Sequence, residues 1–253
     1  MSIGESIQKG FGIAKKSMPL VLLLFVLGFI FNMINLKLSP ASPDPNAPPS
    51  TILIVAGVIF IFMTIFLQAG SMGYVRDRLK TGSAAFANFT AAGGKYYLPI
   101  LVLGIVVSLI IGVFVLLAAL VVALLPNLQV VSVPLAILLA ALGVYFLVML
   151  FLSPYAVVVD DKTVRQAISL SMKLVKKNIL PLLGISALLI LIGFGIGLVL
   201  GAVLAGVGFV VKQENVSQVI FALLSSFVNA YLGIVVTGAF MSFYLSLSDR
   251  NNP

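Results

Sequence analysis

Residues 179–211 read ILPLLGISALLILIGFGIGLVLGAVLAGVGFVV, a run without a single Lys, Arg, Asp or Glu. A helix needs about 20 mainly apolar residues to cross the hydrocarbon core of a bilayer. This run exceeds that length, so it is expected to tilt or to break among its glycines. Working outward, the stretches 19–36, 51–73, 98–125, 134–159 and 218–247 are equally free of charge. They are continuous rather than divided into the short alternating segments that a β-barrel needs. The expected fold class is all-α, a polytopic membrane helix bundle with six transmembrane helices in a single integral membrane domain over 1–253.

Composition agrees with the spans. Of 253 residues, 61% are hydrophobic and 9% charged, against roughly 25% charged in a soluble domain. Cys, His and Trp are absent, which removes disulfides, zinc or haem sites built on His or Cys, and His-based triads. No P-loop, G-x-S-x-G or dinucleotide fingerprint stands in its required context. Neither a cofactor nor a metal is expected, and the chain reads as not an enzyme. Glu5, Asp77, Asp160, Asp161 and Asp249 are dispersed among bases and read as solvated, pairing or capping charges.

The net charge of +8 would raise the question of nucleic acid in a soluble protein. Here it reports topology. Lys9, Lys15, Lys16, Arg76, Arg78, Lys80, Lys95, Lys162, Arg165, Lys173, Lys176, Lys177 and Arg250 fall on one side of the six spans, and only Lys37 and Lys212 on the other. Basic residues accumulate on the cytoplasmic side, so both termini are expected in the cytoplasm of a prokaryote, with the chain in its inner membrane. No nucleic-acid partner is expected.

Three basic segments approach the membrane alike: Lys15-Lys16-Ser17-Met18-Pro19, Lys95-Tyr96-Tyr97-Leu98-Pro99 and Lys176-Lys177-Asn178-Ile179-Leu180-Pro181. Proline is tolerated in the first turn of a helix, where its missing N–H would be unpaired anyway, so each is expected to open a span. Ahead of each lies a segment of helical periodicity. In the first, Ile3, Ile7, Phe11, Ala14 and Met18 share a face, and Ser2 with Glu5 has the form of a capping box. In the third, Val164, Ile168, Ser171 and Val175 do so. The second, 83–94, carries Phe86 and Phe89 and is expected to break at Gly93-Gly94. The reading is a threefold internal repeat, about 1–78, 79–161 and 162–253, each an amphipathic interfacial helix plus a helical hairpin. Lys15, Lys16, Lys95, Lys173, Lys176 and Lys177 are the candidate contacts to anionic lipid headgroups. Ser39-Pro40-Ala41 loosely resembles a signal-peptide cleavage site, but the repeat keeps the first span in the fold. Pro40, Pro43, Pro45, Pro48 and Pro49 make the first outer connection an extended tether.

Within the spans, Gly193, Gly197, Gly201 and Ala205 recur every four residues, a candidate helix-packing groove serving close packing within the chain, an oligomer seam or a lipid. Ser226, Asn229, Gly233 and Thr237 form a candidate polar stripe, either interhelical glue or the lining of a polar path. Ion and proton transporters mark their paths with ionisable residues inside the membrane, and no span has one.

The run Phe151-Leu152-Ser153-Pro154-Tyr155-Ala156-Val157-Val158-Val159-Asp160, followed by Ala167-Ile168-Ser169-Leu170-Ser171 and Lys176-Lys177-Asn178, resembles the membrane domain of glycerophosphodiester phosphodiesterases. It is also similar to related uncharacterised six-span prokaryotic families. Gly73-Tyr74-Val75-Arg76-Asp77-Arg78 is compatible with the same pattern. The resemblance implies a six-helix membrane module with amphipathic cytoplasmic helices, and carries no catalytic residue over. The expected function is a non-enzymatic scaffold or accessory subunit that organises membrane lipid or a membrane or cytoplasmic protein partner. The alternative is a transporter or flippase-like protein for a lipid or other amphiphile.

Overall fold

The computed structural model describes residues 2–38, 51–126, 128–210 and 213–251. The proline-rich connection and Lys212 lie outside them, as do the side chains of Asp249 and Arg250. In order the elements are α1 (Ile3–Lys16), α2 (Met18–Leu38), α3 (Thr51–Thr81), α4 (Phe86–Leu124), α5 (Gln129–Leu150), α6 (Ser153–Asp160), α7 (Val164–Lys177), α8 (Ile179–Val210) and α9 (Glu214–Asn251). Six helical stretches are long and apolar enough to cross a membrane, with α5 and α6 together forming the fourth. This is the build of a multi-pass helical membrane protein. The chain divides into two compact units, Met1–Gly94 with Leu180–Pro253, and Lys95–Ile179.

In the first unit, α1 starts at the expected capping box: the Glu5 amide donates to Ser2 Oγ at 3.2 Å, and the Ser2 amide to Glu5 Oε2 at 2.9 Å. At its other end α1 turns into α2 with only Ser17 between them. Its last-turn Lys16 carbonyl accepts from Arg78 Nη2 of α3 at 2.6 Å, a cation on the negative end of a helix dipole. Pro19 and Pro181 sit in the first turns of α2 and α8, as their spacing from the lysines predicts.

The face of α1 that carries Ser6, Ile7, Gly10, Ile13 and Ala14 is buried, and it packs on α9 at backbone distance. A Cβ on Gly10 would overlap the Val235 carbonyl oxygen and stand 3.0 Å from the Ala239 nitrogen. Only hydrogen fits there. Gly70 and Gly73 do the same for α3 against the first turns of α4: a Cβ on Gly70 would meet Phe89 at 2.8 Å, and one on Gly73 would overlap the Ala92 methyl.

In the second unit, α7 packs on α5 and α6. The expected span 134–159 lies within one membrane-length stretch, Gln129–Asp160, but as two helices rather than one. Pro154 has no N–H to meet the Leu150 carbonyl, α5 ends at Leu150, and α6 restarts at Ser153. Ser171 of α7 closes the gap: its hydroxyl donates to the Met149 carbonyl at 2.7 Å and accepts the Leu152 amide at 3.2 Å. Buried backbone groups that a helix break would leave unpaired are thereby satisfied.

Two further expectations are corrected. Gly93-Gly94 does not break its helix, and Pro99 does not open one: α4 runs through both. The Phe66 ring fills the place of a Gly93 side chain, 2.7 Å from where a Cβ would stand, so the glycine serves close packing rather than a helix break. α8 is one unbroken helix through its glycines, so of the tilt or break expected there it shows no break. The helical spans also overrun the apolar limits, with α3 continuing through the charged Arg76-Asp77-Arg78 to Thr81.

Candidate functional site

The first unit concentrates uncharged polar side chains where α2, α3 and α9 meet. Near the start of α9, Asn32 Nδ2 donates to Ser226 Oγ at 2.8 Å, and Ser226 in turn donates to the Ala222 carbonyl of its own helix at 2.6 Å. Such a bond ties helices in a medium that offers polar groups no water. On one side of this tie a cavity of about 480 Å³ is lined by Asn32, Asn35, Ser217, Gln218 and Ser225, with apolar residues between them.

On the other side lies a second cavity, of about 290 Å³. Thr64, Gln68 and Ser71 of α3 and Thr237 of α9 supply its polar groups; Leu24, Leu27, Phe60, Leu67 and Ile234 supply apolar wall. Gly28 and Gly233 complete the wall, and a Cβ on Gly233 would meet nothing within 4 Å. The space exists because α9 has a glycine there. The hydroxyls of Thr64 and Thr237 donate to carbonyls four residues back, at 2.8 Å each, the usual resting place of a helical hydroxyl in an apolar medium. Ser71 does not: it is 6% exposed, and its Oγ is buried without a partner.

The polar stripe expected on α9 is thus divided. Ser226 holds α2, Gly233 and Thr237 line the smaller cavity, and Asn229 is exposed and lines neither. Among the described residues nothing packs closely on the four-residue stripe of α8. A Cβ on Gly193, Gly197 or Gly201 would meet nothing within 4 Å, and Ala205 is exposed. Close packing falls instead to Gly10, Gly70, Gly73, Gly93 and Gly238. The signal for part of this set was the small run Ala69-Gly70-Ser71-x-Gly73, which places small side chains three residues apart on one face.

Lys15, Lys16, Lys173, Lys176 and Lys177 are exposed at the ends of α1 and α7. Lys95 differs from them. Its ammonium pairs with the Asp161 carboxylate at 2.7 Å and lies 4.9 Å from the Tyr96 ring centroid, and Tyr96 donates its hydroxyl to the same carboxylate at 2.6 Å. Asp161 terminates α6 in the left-handed conformation, φ 51°. In the first unit Asp77 accepts from Arg76 at 2.8 Å and from Asn88 at 2.9 Å. Among the described residues no three acidic side chains gather into a possible metal site.

A fold of apolar spanning helices with charge confined to their ends defines the class, a multi-pass membrane protein. Within that class the chain belongs to the family of the domain of unknown function DUF7847, whose model matches residues 1–247. Neither a curated protein nor a solved structure matches it.

Proposed function

We propose that this is a non-enzymatic protein of a prokaryotic cytoplasmic membrane that organises lipid around itself, as a scaffold or accessory subunit. Both termini face the cytoplasm, and of the three expected units the first and third each present a separate basic helix, α1 and α7, to the inner headgroup layer, as the resemblance to the glycerophosphodiester phosphodiesterase membrane domain implies. One observation carries this reading. Exposed Lys15-Lys16 and Lys176-Lys177 close α1 and α7 one residue before the long apolar helices α2 and α8 begin. In the proposed orientation those ammonium groups stand at the level of lipid phosphates, where each is worth about 1 kcal/mol of attraction to an anionic leaflet.

The test is lipid retention. Full-length protein in nanodiscs of mixed phosphatidylglycerol and phosphatidylcholine should enrich the anionic lipid in its annulus, and replacing Lys15, Lys16, Lys176 and Lys177 by Gln should abolish the enrichment. No preference in the parent protein, together with no reproducible protein partner, overturns the proposal.

A second reading, passage of a lipid or amphiphile across the bilayer, is favoured by the two polar-lined cavities on either side of the Asn32–Ser226 tie. Reconstituted vesicles should then move labelled lipid faster than protein-free vesicles. Equal rates for every headgroup tried remove it.

A further inference from the structure

The smaller cavity between α2, α3 and α9 differs from the rest of the apolar surface in having a buried hydroxyl without a partner among the described residues. In the helix interiors, Thr64, Ser186, Ser226 and Thr237 all donate to the carbonyl four residues back. Ser71 is withheld from that bond, although it too stands within a helix. An unpaired hydroxyl in an apolar medium is costly, and a ligand oxygen in the cavity would recover that cost once the Ser71 side chain, whose Oγ is buried, turns toward it. Ser17, Ser153 and Ser242 are also unpartnered, but they are not among the residues that line this cavity.

The lining restricts the chemistry. It contains no Lys, Arg, Asp or Glu, so neither a phosphate nor an ammonium finds a counter-charge. What it offers is hydrogen-bonding side chains, Thr64, Gln68, Ser71 and Thr237, set in an apolar wall: a match to hydroxyl and ester or ether oxygens carried on hydrocarbon. Depth restricts it further. Ser71 lies five residues from Arg76 on the same helix, about 7.5 Å along the axis, close to the thickness of one headgroup layer. With Arg76 among the headgroups, Ser71 stands at the level of the glycerol backbone. The volume of about 290 Å³ is roughly ten times that of a liquid water, enough for a glycerol unit with the first part of a chain, while the remaining chain stays in the bilayer.

We infer that this cavity is a binding site for a neutral glycerolipid with a free hydroxyl, of the diacylglycerol class, whose hydroxyl or ester oxygen pairs with Ser71. The inference rests on the membrane orientation proposed above but not on the lysine contacts to anionic lipid. The same glycerol oxygens also occur in phospholipids, and the experiment separates the two sources.

The full chain in phosphatidylcholine nanodiscs is labelled with a photoactivatable diacylglycerol and, in parallel, with a photoactivatable phosphatidylglycerol, and the adducts are mapped by mass spectrometry. Diacylglycerol should label peptides of α2, α3 and α9 that border the cavity, and unlabelled diacylglycerol should compete. Ser71→Ala should lower that labelling about five-fold, the equivalent of one hydrogen bond. Gly233→Leu fills the cavity without meeting a neighbour at its Cβ and should lower it at least as far; a melting curve shows that the variant is folded. Gly193→Leu, on open surface, should leave it unchanged. Replacing the four lysines by Gln should leave it unchanged as well, so that loss of the anionic-lipid proposal is read separately. The inference is overturned if Ser71→Ala and folded Gly233→Leu label like the parent. It is equally overturned if phosphatidylglycerol labels the same peptides as strongly and competes equally.

Discussion

Gly10→Ala is the sharpest test of how α1 is held. In an isolated helix the change is favourable, because alanine exceeds glycine in helix propensity by about 1 kcal/mol. At Gly12, one turn face away, a Cβ would meet nothing within 4 Å, so Gly12→Ala should stabilise the protein by about 0.5–1 kcal/mol. At Gly10 the new methyl would overlap the Val235 carbonyl and lie 3.1 Å from the Ala239 Cβ. The Val235 carbonyl, and the Ala239 nitrogen at 3.0 Å, are α9 backbone and cannot rotate away. The helices must part by on the order of 1 Å, which forfeits a quarter to a half of each dispersion contact across the seam, and overpacking of this kind costs about 1–3 kcal/mol. Gly10→Ala should therefore lower stability by up to about 2 kcal/mol net of the propensity gain, while Gly12→Ala raises it. Thermal unfolding in detergent measures both. A covalent reporter is available because the chain has no cysteine: a Cβ on Gly238 would lie 3.5 Å from Ile13 Cβ, within the span of a disulfide. The Ile13→Cys, Gly238→Cys pair should oxidise to completion, and more slowly when Gly10→Ala is added. If Gly10→Ala melts at or above the parent and cross-links at the same rate, the backbone-level contact between α1 and α9 is refuted.

Three other outcomes are expected. Ser171→Ala removes both bonds that close the α5–α6 break and should cost about 1–3 kcal/mol in equilibrium unfolding; a loss below 0.5 kcal/mol would mean that the break needs no such closure. Asp161→Ala loses the acceptor shared by Tyr96 and Lys95 and puts alanine at a positive φ, whereas Asp161→Asn keeps an acceptor and tolerates that backbone. Alanine should thus melt well below asparagine, with Lys95→Gln close to the parent because an exposed ion pair contributes about 0–1 kcal/mol. Gly73→Ala should destabilise through the Ala92 methyl while Gly197→Ala should not; the reverse order, read by melting, would return the packing seam to α8.

Much of the fold is legible in local chemistry. The six apolar runs, the Ser2–Glu5 capping box and the first-turn positions of Pro19 and Pro181 each follow from residues adjacent in sequence, which is why they are found where the spacing places them. The departures share one cause. Gly93 is a packing position because Phe66, twenty-seven positions earlier, occupies the space of its missing side chain. The α5–α6 break closes because Ser171 reaches it from another helix. The apolar pattern over 134–159 continues across Pro154 without interruption, and hydropathy is blind to a carbonyl that has lost its donor.

The candidate site shows the same division. A weakly polar stripe on α9 is visible in sequence as spacing, yet spacing does not distinguish Ser226, which bonds Asn32, from Thr237, which faces a cavity, or from Asn229, which is exposed. The four-residue glycines of α8 and the small run around Gly70 look alike as strings, and only the approach of Phe89 and Ala92 shows which of them is a packing surface. Sequence alone determined the class of this protein, because whether a segment can live in hydrocarbon is decided by its own composition and length. Which glycines touch, which hydroxyl is left without a partner and where a cavity opens were decided only in the tertiary structure. Those depend on atoms brought within a few ångströms from residues far apart in the chain, and no local pattern encodes that distance.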